Sequence, residues 1–119
     1  MAEHNDLGLK GEQLAVDHLK SIGYKILERN YRFGKIEIDI IAKLNNILAV
    51  IEVKTRSSKA FGSPQEFIQP KQISNIITAV DKYIIENELD VDVRFDVIAI
   101  TIVGNKTELN FLKDAFYHF

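Results

Sequence analysis

The feature that most limits how this chain can fold is a pair of apolar, β-branched runs separated by two asparagines. Ile36-Glu37-Ile38-Asp39-Ile40-Ile41-Ala42 precedes Asn45-Asn46, and Ile47-Leu48-Ala49-Val50-Ile51-Glu52-Val53-Lys54 follows them. Short runs of this kind joined by a polar two-residue turn predict a β-hairpin. A turn centred on Asn45-Asn46 pairs Leu44 with Ile47 and, continuing outward, Asp39 with Glu52 and Glu37 with Lys54. Alternation then puts Glu37, Asp39, Glu52 and Lys54 on one face and Ile36, Ile38 and Ile40 on the other. Directly opposed Cβ atoms are about 4.5–5.5 Å apart, and like charges at that spacing destabilise a sheet. Two carboxylates facing each other in an apolar hairpin therefore call for a partner. A divalent cation is one, because Mg²⁺ is commonly held by one or two carboxylates; a shared proton is another. The register decides the matter, since a bulge in either strand would move Asp39 and Glu52 to opposite faces.

Composition narrows the function classes. The 119 residues, 46% hydrophobic and 27% charged, suit one soluble globular domain spanning residues 1–119. The chain has no cysteine, which excludes disulfides, thiolate chemistry and cysteine-based zinc sites. The polar start Met1-Ala2-Glu3-His4-Asn5-Asp6 does not resemble a signal peptide. No apolar run approaches the roughly 20 residues of a membrane span, so no membrane partner is expected and the cytoplasm is the expected location. The net charge of −2 conceals an asymmetry: residues 10–71 carry eleven Lys/Arg against seven Asp/Glu, and residues 72–119 carry four against eight. The basic half suits phosphates, although an ordinary mixture of surface charges explains it as well.

The rest of the chain supplies helices and strands around the hairpin. Asn5 or Asp6 is expected to cap a first helix that runs to about Ile22 and stops at Gly23. Leu7, Gly11, Leu14, Ala15, His18, Leu19 and Ile22 form its apolar arc, with Glu12 at the edge. His18, inside the arc, reads as a core histidine. Tyr24 to Arg32 reads as a strand suited to a sheet edge, and Phe33-Gly34-Lys35 as a turn. Arg29, Arg32 and Lys35 gather at that corner, where they suit either phosphate contacts or a solvated edge. After the hairpin, residues 55–65 form an irregular basic segment containing Arg56 and Lys59. Pro70 suits the first position of a second helix reaching about Asn87, with the stripe Ile73, Ile76, Ile77, Val80, Ile84. An acidic connector leads to a strand from Val93 to Val103, a turn at Gly104-Asn105-Lys106 and a last strand from about Glu108 to Leu112. The aromatic tail Phe116-Tyr117-His118-Phe119 is expected to pack on the body or to mark an interface. The predicted class is α/β, a mixed β-sheet flanked by helices in the order α-β-β-β-α-β-β, with a right-handed parallel crossover between the hairpin's second strand and the Phe95 strand.

Glycine-rich phosphate loops, a serine nucleophile elbow and a two-histidine helical zinc motif are all absent from the sequence. What remains is an acid at position 39, Glu52-x-Lys54, and Glu12 on the preceding helix. An Asp on one hairpin strand and Glu-x-Lys on the next resembles the PD-(D/E)xK core of restriction endonucleases. More closely, Gly11-Glu12, Glu37-Ile38-Asp39, Glu52-Val53-Lys54-Thr55-Arg56, Phe61-Gly62 and Arg94-Phe95-Asp96-Val97 resemble the YraN family, whose members are similar to archaeal Holliday junction resolvases. The resemblance spans about residues 8 to 114. Two departures stand out: Ile38 occupies the proline position of the motif, and Ile36 occupies a position usually held by glycine in the family.

The resemblance implies a restriction-endonuclease-like fold and a metal-dependent endonuclease cutting phosphodiester bonds in branched or structured DNA. It implies Asp39, Glu52 and Lys54 as catalytic residues and Mg²⁺ or Mn²⁺ as cofactor. Asp39, Glu52, Glu12 and the backbone carbonyl of Val53 are the implied metal ligands. The residue types suit the reaction, in which a metal polarises the phosphoryl oxygen and activates water. Lys54 is expected to stabilise developing charge and position the water rather than act as base. Arg56, Lys59, Lys71, Arg32 and Lys35 are the expected nucleic-acid contacts. Junction resolvases act as dimers, so a homodimer is a further expectation, though no residue marks its face. Two alternatives remain at this level: a non-catalytic nucleic-acid-binding module of the same fold, and a scaffold or interaction protein. A salt-bridge ladder on a half-buried sheet would explain the charged residues without any site.

Overall fold

A computed structural model describes residues 2–57 and 70–115, with side chains from Leu7 in the first helix and from Gln72 in the second. Its elements are α1 (Ala2–Ser21), β1 (Lys25–Phe33), β2 (Ile36–Leu44), β3 (Ile47–Arg56), α2 (Pro70–Glu86), β4 (Asp92–Val103) and β5 (Lys106–Leu112). The five strands form one sheet in the order β1-β2-β3-β4-β5. All neighbours are antiparallel except β3 and β4, which run parallel in a register from Ile47↔Asp92 to Arg56↔Thr101. The expected mixed sheet and element order are therefore present, with β1 at an edge. Among the described residues no helix is long and apolar enough to cross a membrane. Lys59 and the aromatic tail from Phe116 to Phe119 lie outside the described residues.

Alternation along β3 divides the core. Leu48 and Val50 pack with Ile76, Ala79, Val80 and Tyr83 of α2, while Ala49 and Ile51 pack with Ala15, Val16 and Leu19 of α1. The helices therefore cover opposite faces, and β3 is apolar on both because both are buried. Two details of the helical stripes differ from expectation. Val16 is in the core whereas Ile22, beyond the end of α1, is 44% exposed. On α2, Ala79 and Tyr83 are buried whereas Ile77 is 41% exposed, because the inward arc is centred between Ile76 and Val80.

Both helices end in the same way. Gly23 adopts φ 99°, its N–H bonds to Lys20 O at 3.1 Å, and the Tyr24 N–H bonds to Leu19 O at 2.9 Å. This Schellman arrangement satisfies carbonyls the helix leaves unpaired, and glycine enters the left-handed region without steric penalty. Glu88 (φ 52°) occupies the equivalent position after α2, with the Leu89 N–H bonded to Ile84 O at 3.1 Å. The start of α1 departs from expectation, since the helix begins at Ala2 and Asn5 and Asp6 lie within it. Ala2-Glu3-His4 contains no helix breaker, so nothing stops the helix at a cap further along.

Candidate functional site

The β2–β3 hairpin has the predicted register, Leu44↔Ile47 through Ile40↔Ile51, and Asn45 takes the left-handed conformation (φ 55°) that a tight turn requires. The ladder stops at Ile40↔Ile51, one pair before Asp39 and Glu52. Neither Asp39–Glu52 nor Glu37–Lys54 is a ladder pair, which corrects the expectation of direct opposition. Instead the strands part, and the Asp39 carboxylate enters the fork: its Oδ2 accepts the Val53 N–H at 2.8 Å. The carboxylate takes over the backbone donor that the ended ladder would leave unpaired. Among the described residues Oδ1 has no hydrogen-bond partner.

The fork coincides with a break in alternation that runs through two strands. In β2, Ile38 packs toward α2 but Ile40 packs toward α1, the side on which Asp39 lines a pocket. Ile40 is therefore not on the face opposite Asp39, as simple alternation predicts. In β1, Asn30 adopts φ 53° between Arg29↔Ile40 and Tyr31↔Ile38. Arg29 and Asn30 consequently both reach α1, while Tyr31 turns to α2 and meets Tyr83 edge-on at 5.1 Å. Alternation from Ile51 gives Val53 and Thr55 to the α1 side and Glu52 and Lys54 to the other. Asp39 and the Glu52–Lys54 pair thus lie on opposite sides of the fork, which corrects the expectation that Glu37, Asp39, Glu52 and Lys54 share one face.

Their charges act on one another across the fork. Lys54 Nζ lies 3.4 Å from Glu52 Oε1, with both side chains largely buried. Burial, and then repulsion from Asp39, push the Glu52 carboxyl up to about 7 against the partial relief given by Lys54. Asp39 is also raised, chiefly by burial and further by the charge of Glu12, while the Val53 N–H opposes the shift. Glu12 itself is bound by neighbours: its Oε1 accepts from Arg29 Nε at 3.2 Å, Arg29 Nη2 at 3.1 Å and Asn30 Nδ2 at 3.1 Å. A pocket of about 270 Å³ on the α1 side brings Glu12 and Asp39 together; it is lined by Glu12, Asn30, Glu37, Asp39, Val53 and Thr55, with Leu7 and Gly8 of α1, and Glu52 and Lys54 are not part of its lining.

Gly11 sets the distance between α1 and the fork. A Cβ at this position would overlap Thr55 Oγ1 and stand 2.9 Å from Thr55 Cβ and Cγ2. Only a glycine lets the helix backbone come this close, and the next residue is Glu12. Within β4, Asp96 is fully buried and receives Arg94 Nε at 2.9 Å and the Asp114 N–H at 2.9 Å. Arg94 also donates to Tyr24 OH at 2.5 Å and lies over the Phe111 ring. His18 packs edge-on against the same ring at 6.3 Å and is half-buried at the margin of the core.

The residues expected to bind nucleic acid are dispersed. Arg56 is half-buried with Nη1 3.4 Å from Thr55 O. Arg32 is exposed and paired with Glu37 at 2.9 Å, and Lys35 is exposed at the β1–β2 turn. The Lys71 side chain, like Lys59, is outside the described set, although the Lys71 backbone begins α2. Sequence reasoning missed the grip of Arg29 and Asn30 on Glu12. An asparagine in the middle of a strand was the available signal, because strands are poor in asparagine and this residue tolerates positive φ.

The donor set can be tested against a divalent cation. Among the described residues no group of three or more His, Asp or Glu side chains is arranged to hold one. A site for Mg²⁺ needs less, since this ion keeps several waters and takes one or two carboxylates. Asp39, whose Oδ1 has no hydrogen-bond partner among the described residues, and Glu52, which burial and the charge of Asp39 raise, are two partly buried acids that fit that requirement.

A model of the uncharacterised protein family UPF0102 matches residues 11–100, a span from Gly11 through the fork to β4. A UPF0102 protein of Christiangramia forsetii is 55% identical over 119 residues, covering all of both chains. One of Flavobacterium psychrophilum is 53% identical with the same coverage, and one of Phocaeicola vulgatus is 44% identical over 98% of this chain and 97% of its own. On the family match over residues 11–100 and relatives that align with the chain from end to end, the chain belongs to the uncharacterised protein family UPF0102, the YraN family.

Proposed function

We propose that this protein is a divalent-metal-dependent endonuclease that hydrolyses phosphodiester bonds in branched or structured DNA, acting in the cytoplasm. The observation that supports the proposal is the fork, where Asp39, with Glu12 in the same pocket, and the Glu52–Lys54 pair are partly buried charges that act on one another. Burying repelling acids destabilises a fold unless a ligand uses them, so such clusters favour a site over a surface ladder. Asp39 Oδ1, Glu52 and the Val53 carbonyl are the atoms assigned to hold Mg²⁺ or Mn²⁺. When bound, that ion supplies a Lewis acid for the phosphoryl oxygen and lowers the pKa of water.

The chain's own residues do the rest. The Val53 N–H fixes the rotamer of Asp39, so one oxygen is held and the other presented. Lys54, held against Glu52, places a positive charge beside the position where phosphorane charge develops. Arg56 and Lys35, with Lys59 and Lys71, are assigned to flanking phosphates, which bind without reading sequence. The test is cleavage of labelled duplex, single-stranded, flap and four-way-junction DNA with Mg²⁺ or Mn²⁺. Folded Asp39→Ala protein serves as the control. Cleavage by wild type alone supports the proposal; equal cleavage by both, or none by either, refutes it.

A further inference from the structure

Glu12 is held by two neighbours in β1, one of which, Asn30, has an unusual backbone conformation (φ 53°). We infer that Arg29 and Asn30 are positioning residues for Glu12, gripping one carboxylate oxygen so that the other is offered to a divalent cation held with Asp39. This inference rests on the metal-dependent reading of the fork. Three donors from β1 converge on Glu12 Oε1, at 3.2, 3.1 and 3.1 Å. Among the described residues none bonds Oε2. The Glu12 side chain is only 13% exposed, and it lines the same pocket as Asp39 and Asn30.

A fastening contact between helix and strand would not need this arrangement. Fastening is served equally by donors spread over both oxygens, whereas here all three fall on Oε1. The backbone also departs from its regular path to make the grip. A regular strand would send Asn30 to the α2 side; φ 53° sends it to the α1 side alongside Arg29. Non-glycine residues enter this region rarely, and asparagine is among those that do. Arg29 is steadied in turn, with Nη1 on Gln13 Oε1 at 3.2 Å. The approach of α1 at Gly11 against Thr55 fixes the position from which Glu12 extends. Helix, edge strand and hairpin thus each contribute to the placement of one oxygen.

The test measures Mn²⁺ binding by isothermal titration and electron paramagnetic resonance on the full chain. Wild type is compared with Asp39→Ala, Glu12→Gln, Asn30→Gly and the double variant Asn30→Gly/Glu12→Gln, each checked for folding by circular dichroism. Glycine at position 30 retains the positive φ and removes only the amide, so a loss reports the hydrogen bond rather than the backbone. Outer partners of metal ligands are commonly worth about 10–100-fold in affinity; Asn30→Gly should lose on the order of 10-fold, and nothing further in the Glu12→Gln background. Arg29→Met should behave likewise, with partial recovery in Arg29→Lys. Unchanged affinity in Asn30→Gly, or the same loss without Glu12, would overturn the inference while leaving the function intact. No Mn²⁺ binding by wild type, or full binding by Asp39→Ala, would overturn both.

Discussion

Glu52→Gln offers the sharpest test of the fork, because its effect on stability should depend on pH and on metal in opposite directions. In the folded protein burial and Asp39 lift the Glu52 carboxyl from the ordinary 4.5 to about 7. Between these values the native state binds more protons than the unfolded state, so metal-free wild type loses stability as pH rises through that window and is flat above it. Each pH unit crossed is worth about 1.4 kcal/mol, which gives a ceiling of about 3 kcal/mol. Glutamine removes the titration. The value of about 7 already includes the relief given by Lys54, so losing that partner does not reduce the expected gain below the ceiling of about 3 kcal/mol a second time. Urea denaturation in chelator should therefore show the two proteins alike near about pH 4 and Glu52→Gln more stable near about pH 8. Added Mg²⁺ should then stabilise wild type and not the variant, since only a ligand that binds the native state raises its stability. An equal difference at both pH values, or a less stable variant at the higher one, would refute the reasoning.

Other substitutions examine the scaffold. Gly11→Ala places a methyl group on Thr55 and should destabilise by about 1–3 kcal/mol, read as a lower urea midpoint, with weakened Mn²⁺ binding as α1 shifts. Asp96→Ala leaves Arg94 buried without its carboxylate and should destabilise by about 3–5 kcal/mol, whereas Arg94→Met/Asp96→Leu should recover much of the loss in the same denaturation assay. Glu88→Gly relieves a left-handed residue at the end of α2 and should raise stability by about 0.5–1 kcal/mol. An unchanged or lower melting temperature would contradict that assignment.

Much of the fold was legible because its signals are local. Asn45-Asn46 between two β-branched runs set the hairpin register through Ile40↔Ile51, and Pro70 marked the start of α2. The site was legible as a set of acids but not as a geometry. Asp39 does not face Glu52 across a ladder, because the strands separate there and a backbone N–H takes its carboxylate. Alternation counts residues and has no term for Asn30 at φ 53°, which turns a neighbouring strand and brings Arg29 and Asn30 onto one side. The Arg94–Asp96 pair was visible only as a resemblance, since nothing local distinguishes a buried charge pair from two surface charges. Tyr83 was overlooked in the α2 stripe because its hydroxyl disguised a buried ring.

The parallel pairing of β3 with β4 has a consequence for the order in which the molecule assembles. β1, β2 and β3 are joined by tight turns and can pair quickly, whereas β4 must return across the whole chain between Arg56 and Asp92. The acids are therefore gathered early on a local meander, while water still surrounds them. Only when Val97 settles beside Glu52 does the fork become enclosed. The electrostatic penalty falls on that last closure, so its relief in Glu52→Gln should appear mainly as slower unfolding, with refolding little changed.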